Sequence, residues 1–142
     1  MSIDEVGIAL PGGVANAGLV FRVGNTVRRP VRPTHPATHA LLTHLGDVGF
    51  QGAPGFLGVD GLGREVLSYV HGQAVTRPYP RWALTDEALI SVAELLRRYH
   101  DAASSFNPEP YRWPSSPPER FRTGVVSHNC LLYTSPSPRD RS

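Results

Sequence analysis

The sequence predicts an α+β chain, on three observations. Two glycine-containing turns, Gly24-Asn25 and Asp60-Gly61-Leu62-Gly63, are each flanked by β-forming apolar residues, a hairpin pattern. Two other stretches, beginning near His35 and Asp86, repeat apolar residues at three- and four-residue steps, the period of a helix with one covered face. These segments follow one another as hairpin, helix, hairpin, linker, helix, loop and a final β-branched run, without an internal repeat.

Leu10-Pro11-Gly12-Gly13-Val14-Ala15-Asn16-Ala17-Gly18 reads as a flexible loop rich in glycine. Leu19-Val20-Phe21-Arg22-Val23 reads as a strand, Gly24-Asn25 as its turn, and Thr26-Val27-Arg28-Arg29 as the returning strand, stopped by Pro30. Thr34 or His35 can cap a helix that tolerates Pro36 in its first turn, buries Ala37, Leu41 and Leu45, and stops at Gly46. The second hairpin pairs Gly55-Phe56-Leu57-Gly58-Val59 with Arg64-Glu65-Val66-Leu67-Ser68-Tyr69-Val70 and ends at Gly72. Residues 73–83, with Pro78 and Pro80, have the composition of a linker. The clearest helix follows: Thr85 caps it, and Asp86 and Glu87 stand at the positive end of its dipole. Leu89, Val92, Leu96, Tyr99 and Ala103 share one face, and Arg97 and Arg98 lie toward its C-terminal end. Asn107 to Pro118 is proline-rich and irregular, and Gly124-Val125-Val126 is a short strand leading to His128.

The end of the chain is of a different kind. Cys130-Leu131-Leu132-Tyr133-Thr134-Ser135-Pro136-Ser137-Pro138-Arg139-Asp140 resembles the in-frame translation of a transposase-type sequencing adapter; the alternative is a Ser/Pro-rich terminus unable to bury a core. Residues 130–142 are accordingly assigned no function. Setting them aside leaves 129 residues without cysteine, so neither disulfides nor a cysteine-based metal site is expected, which fits a reducing, cytoplasmic setting. No apolar run is long enough to span a membrane, and the acidic start Met1-Ser2-Ile3-Asp4-Glu5 is not a signal peptide. All 14 basic residues are arginine, and without Arg139, Arg141 and Asp140 the balance is 12 basic against 11 acidic residues, a net charge of +1. That charge is too small for a nucleic-acid partner, despite a pI near 9.0.

The ordered pieces carry a resemblance. The Gly-Gly loop, Val27-Arg28-Arg29-Pro30, Gly63-Arg64-Glu65-Val66-Leu67-Ser68-Tyr69, Leu95-Leu96-Arg97-Arg98-Tyr99-His100-Asp101 and Val125-Val126-Ser127-His128-Asn129 follow in the order of the aminoglycoside phosphotransferase and choline kinase family. The chain resembles bacterial members labelled phosphotransferase or trifolitoxin immunity protein, over roughly residues 8–129, about the first half of such an enzyme. The resemblance implies a protein-kinase-like fold: an N-terminal lobe of antiparallel strands and one helix over residues 1–72, a hinge at 73–83, and the start of a helical lobe at 84–129. It also implies ATP with Mg²⁺, and transfer of a phosphoryl group to a small hydroxyl-bearing substrate, the chemistry behind much antibiotic resistance.

Phosphoryl transfer asks a protein mainly to position groups and neutralise charge. On the resemblance, Gly12, Gly13 and Gly18 would bring backbone N–H groups to the nucleotide phosphates, and Arg28, with Arg29 second, would supply the strand cation. Taken alone the glycines are an ordinary flexible turn, because no G-x-G-x-x-G or Walker-type motif is present. Neighbours on a strand face opposite sides, so at least one of the two arginines is not at the phosphates. The family's helix carboxylate is missing, and His39 stands where it is expected. Ser68, Tyr69 and Val70 would meet the adenine edge through their backbone. His128 would support the catalytic loop, but Cys130 occupies the position of the catalytic Asp, and a thiol has neither its charge nor its geometry. The Mg²⁺ ligands are absent too, so the polypeptide as written is expected to be inactive.

Other chemistries fare less well. His100-Asp101, at the end of a packed helix, is read as structural. His35 and His39 share a helical face and His44 lies near, but no cysteine precedes the tail and no carboxylate completes the set, so zinc is not expected. No G-x-S-x-G marks a hydrolase. The competing class is a kinase-fold binding or immunity protein that sequesters a peptide or antibiotic without phosphorylating it.

Overall fold

The computed structural model describes residues 7–10, 18–75, 77–114 and 126. Gly12, Gly13, Gly124, Val125, His128 and the tail from Cys130 lie outside those residues.

Among the described residues, five antiparallel strands form one sheet: β1 (Ile8–Ala9), β2 (Phe21–Val23), β3 (Thr26–Pro30), β4 (Phe56–Val59) and β5 (Arg64–Ser68). Their spatial order is β1-β2-β3-β5-β4. The β2–β3 hairpin closes through Gly24, whose φ of 58° is a conformation a side chain resists. Thr26 ties that turn by donating its hydroxyl to the Val23 carbonyl at 2.7 Å. At the second hairpin Asp60 organises the turn, its Oδ1 accepting from the backbone N–H of Leu62 and of Arg64. Between the hairpins β3 pairs with β5, placing Arg29 directly opposite Glu65 and Arg28 opposite Val66.

The helix α1 (His35–Asp47) connects β3 to β4 and carries Pro36 in its first turn, where a missing N–H costs nothing. It runs past Gly46, and the left-handed residue is Gly49, with φ 79°. The N–H of Phe50 donates to Leu45 O, and that of Gly49 to Gly46 O, satisfying the last carbonyls. A single glycine is therefore not a stop: Gly46 stays helical because the capping geometry is completed three residues later. Ala37, Leu41 and Leu45 are the buried face, as their spacing requires.

A short 3₁₀ turn, Arg81–Leu84, leads into α2 (Asp86–Ala103). Thr85 caps α2 by accepting from the Ala88 N–H at 3.2 Å. Only the C-terminal part of α2 is covered, since Tyr99 and Ala103 are buried whereas Leu89 is 69% and Val92 50% exposed. The main buried cluster is Leu41, Leu45, Tyr99 and Ala103, flanked by Phe50, Phe106 and Trp113. His44 clamps the two helices, its Nε2 lying 3.0 Å from Ala102 O and 3.1 Å from Ser105 Oγ. This core straddles residues 73–83, the segment read as a hinge, so α1 and α2 are packed together rather than merely linked.

Two short elements were not predicted, β1 and the Arg81–Leu84 turn. Strands of two residues show no alternation to read. β5 ends at Ser68, earlier than its β-forming residues suggest, because β3 offers partners only as far as Thr26.

Candidate functional site

Alternation along β5 buries Glu65 and Leu67 on the side facing α1. Glu65 is fully buried, with 0% of its surface exposed. A lone carboxylate there would be very unfavourable, so its partners decide whether it stays ionised. Arg29, its cross-strand neighbour, donates from Nε to Oε1. From α1, His39 Nε2 meets Oε2, and His35 Nδ1 lies 3.2 Å from the same oxygen. One strand thus supplies the cation, the next the carboxylate, and the helix above them two imidazoles one turn apart.

The electrostatics follow. Burial pushes the Glu65 carboxyl upward, but hydrogen bonds from Arg29 and His39 and the charge of Arg29 outweigh it, and the net shift is below the usual glutamate range. His35 is lowered: burial is the largest cause, Glu65 opposes it, and Arg29, His39 and Arg32 add to it. His39 is also packed against Phe56 of β4, ring centroids 3.9 Å apart and nearly parallel. That stacking fixes the imidazole between the sheet and the carboxylate.

The other face of β3 carries a second ion-pair group. Arg28 donates to Asp60 Oδ2 at 3.1 Å and to Thr26 Oγ1 at 3.1 Å, and Arg64 also donates to Asp60 Oδ2 at 2.9 Å. Burial raises the Asp60 carboxyl, but the backbone N–H and side chain of Arg64 and the Leu62 N–H more than offset it, leaving the group lowered.

The sequence candidates separate on this frame. Arg28 and Arg29 point to opposite faces, and it is Arg29, the second choice, that faces α1 with its carboxylate partner. His39 does stand at the helix position where a carboxylate was expected, and it contacts a carboxylate supplied by β5 instead. The N–H groups of Ser68 and Tyr69 donate to Gly55 O and Asn25 O, and Val70 is 62% exposed. The Tyr69 ring lies under Arg22, whose guanidinium carbon is 3.8 Å from its centroid. Gly18 is exposed with φ 76°, and Gly12, Gly13 and His128 lie outside the described residues. A cleft of about 270 Å³ is lined by Gly49, Phe50, Gln51, Gly52 and Arg98, none of them a sequence candidate.

Sequence reasoning passes over Glu65 and Asp60, and it sets His35 and His39 aside for want of a carboxylate; the structure corrects that expectation, because Glu65 of β5 brings its carboxylate to both imidazoles. The available signal was Glu65 itself, a carboxylate in the middle of a β-forming run, which is costly unless paired. Which residue pairs with it depends on a register between strands separated by α1 and β4.

No family model matches the chain, and no solved structure gives a significant match. One curated relative does. The chain is similar to a trifolitoxin immunity protein. The identity with that protein, from Rhizobium leguminosarum bv. trifolii, is 40% over 103 residues. The match takes in 71% of the chain and 37% of the relative, so the chain spans little more than a third of the relative's length. Among the described residues no helix is long and apolar enough to cross a membrane.

Proposed function

We propose that this chain is part of a trifolitoxin-immunity-like protein that protects by binding its toxin, on a kinase-like scaffold, without transferring phosphate. The observation that carries this reading is the closure of Arg28, the first candidate for the phosphate cation, onto Asp60. A phosphate approaching that cation would compete with a carboxylate already held by further donors. Of the three residues expected at an adenine edge, Ser68 and Tyr69 use their amides within the fold. No step is routed through ATP or Mg²⁺. The 40% identity to an immunity protein supports the same reading.

A phosphotransferase is the second reading, favoured by one feature. A strand cation held by a carboxylate beneath the helix is the arrangement the family resemblance implies, although here the carboxylate comes from β5. On that reading residues 1–72 and 84–129 are the beginnings of two lobes, with 73–83 as the hinge, and the acceptor is a small hydroxyl-bearing molecule.

Calorimetric titration of the chain separately with trifolitoxin and with Mg²⁺–ATP distinguishes them. Saturable binding of trifolitoxin is expected, with no heat from the nucleotide. Saturable nucleotide binding that disappears in Arg29→Ala, with no response to trifolitoxin, would overturn the binding reading.

A further inference from the structure

The buried cluster beneath α1 has a feature that ion pairing leaves unexplained. His35 Nδ1 is buried and, among the described residues, finds no hydrogen-bond partner. Its separation of 3.2 Å from Glu65 Oε2 brings the atoms close without the angle a hydrogen bond requires. Buried polar atoms are rarely left so, and each exception calls for a cause. His39 poses no such problem, because its Nε2 contacts the same carboxylate oxygen directly.

We propose that His35, His39 and Glu65 form a binding site for a zinc-type divalent cation, joining the first turn of α1 to β5. Their candidate donor atoms, Nδ1, Nε2 and a carboxylate oxygen, all lie within 4.8 Å of one another. Two histidines four residues apart on a helix present their rings to one point, and here the ring centroids are 5.9 Å apart. Two imidazoles and one carboxylate are a recognised set for zinc, which is then left with an open fourth position. With metal–ligand bonds of about 2.0–2.2 Å, neighbouring ligands in a tetrahedral site are about 3.3 Å apart. The His35–Glu65 separation of 3.2 Å already meets that, and the His39–Glu65 separation of 2.5 Å needs to open by less than an ångström. The two imidazole nitrogens, up to 4.8 Å apart, close on the ion by rotation of the His35 ring, whose Nδ1 no hydrogen bond holds among the described residues.

The surroundings suit the role. Arg29 holds Oε1, leaving Oε2 for the ion and fixing the carboxylate plane, as outer partners of metal ligands commonly do. The Phe56 ring stacked on His39 sets that imidazole's orientation. The ligands are also well shielded, with 13% of each histidine side chain exposed and none of Glu65. The positive charge of Arg29 weakens the site relative to one with a second carboxylate. The site is independent of whether the chain binds a toxin or a nucleotide. An ion there would tie the helix to the sheet and raise the melting temperature with metal concentration.

The test uses the full chain with Cys130→Ser, which removes its only thiol. Zn²⁺ binding is measured by equilibrium dialysis, and Co²⁺ serves as a spectroscopic reporter of tetrahedral nitrogen and oxygen ligation. One Zn²⁺ per chain is expected, with visible Co²⁺ bands. Binding weakens at least ~10-fold in His35→Ala and in His39→Ala, and is unchanged in His44→Ala and His71→Ala. His35→Ala is the decisive variant, because it deletes a nitrogen with no hydrogen-bond partner among the described residues and should keep its circular dichroism spectrum. The proposal is overturned by the absence of saturable binding, or by stoichiometric binding that survives in a folded His35→Ala chain, meaning an adventitious ion only.

Discussion

Glu65→Gln keeps the shape of the buried side chain and removes its charge, which isolates what the ion pairs contribute. In the native chain Glu65 accepts from Arg29 and contacts His39 with its second oxygen. Hydrogen bonds to a charged group contribute about 1.5–3 kcal/mol and neutral ones about 0.5–1.5, so neutralising the acceptor loses about 1 kcal/mol at the imidazole contact and less at Arg29, whose guanidinium stays charged. The new amide N–H₂ must also face either the Arg29 guanidinium or the imidazoles, and a buried donor without an acceptor costs about a further 1–3 kcal/mol. Arg29 is 30% exposed, so water recovers part of the loss on its side. The expected destabilisation is therefore about 2–3 kcal/mol, a large share of the roughly 5–15 kcal/mol of a typical domain. Urea unfolding followed by circular dichroism reads it as a lower midpoint at unchanged slope. A change below about 0.5 kcal/mol would show that the cluster contributes no net stability, and the reasoning from burial would fail.

Three further outcomes are expected. Leu45→Ala, at a position 2% exposed in the cluster joining α1 to α2, should cost about 2–5 kcal/mol in the same unfolding experiment. Asp60 has a folded-state pKa below its unfolded value near 3.8, so the unfolded chain takes up the proton first. The stability it contributes is present above that value and is lost as pH falls through the lower folded-state pKa; Asp60→Asn should flatten this acid limb relative to the native chain. Leu89 and Val92 on α2 are exposed apolar residues beside Ile90, Trp82 and Leu84, and the chain should associate with rising concentration. Light scattering should report a more monomeric protein for Leu89→Glu with Val92→Glu, and a native chain that stays monomeric at high concentration would refute the association.

Local signals were legible where the chemistry is local. Gly24-Asn25 specifies its turn through backbone freedom, Thr85 specifies the start of α2 through one side-chain oxygen, and the spacing of Ala37, Leu41 and Leu45 specifies the buried face of α1. The helix period identified which side of α2 is apolar but not how much of it would be covered; Tyr99 and Ala103 meet α1 and Phe106, while Leu89 and Val92 meet solvent. Likewise, alternation established that Arg28 and Arg29 face opposite ways without saying which faces α1.

The sequence by itself determined the α+β class, the order of hairpins and helices, and the presence of cations on the third strand. Tertiary structure decided what those cations meet. Glu65 lies 36 residues from Arg29 and 26 from His39 along the chain, and only the pairing of β3 with β5 beneath α1 brings the three together. The physical reason is one of range. Turn, cap and periodicity signals act within a few residues, whereas the state of a buried carboxylate depends on every charge that the fold carries to it.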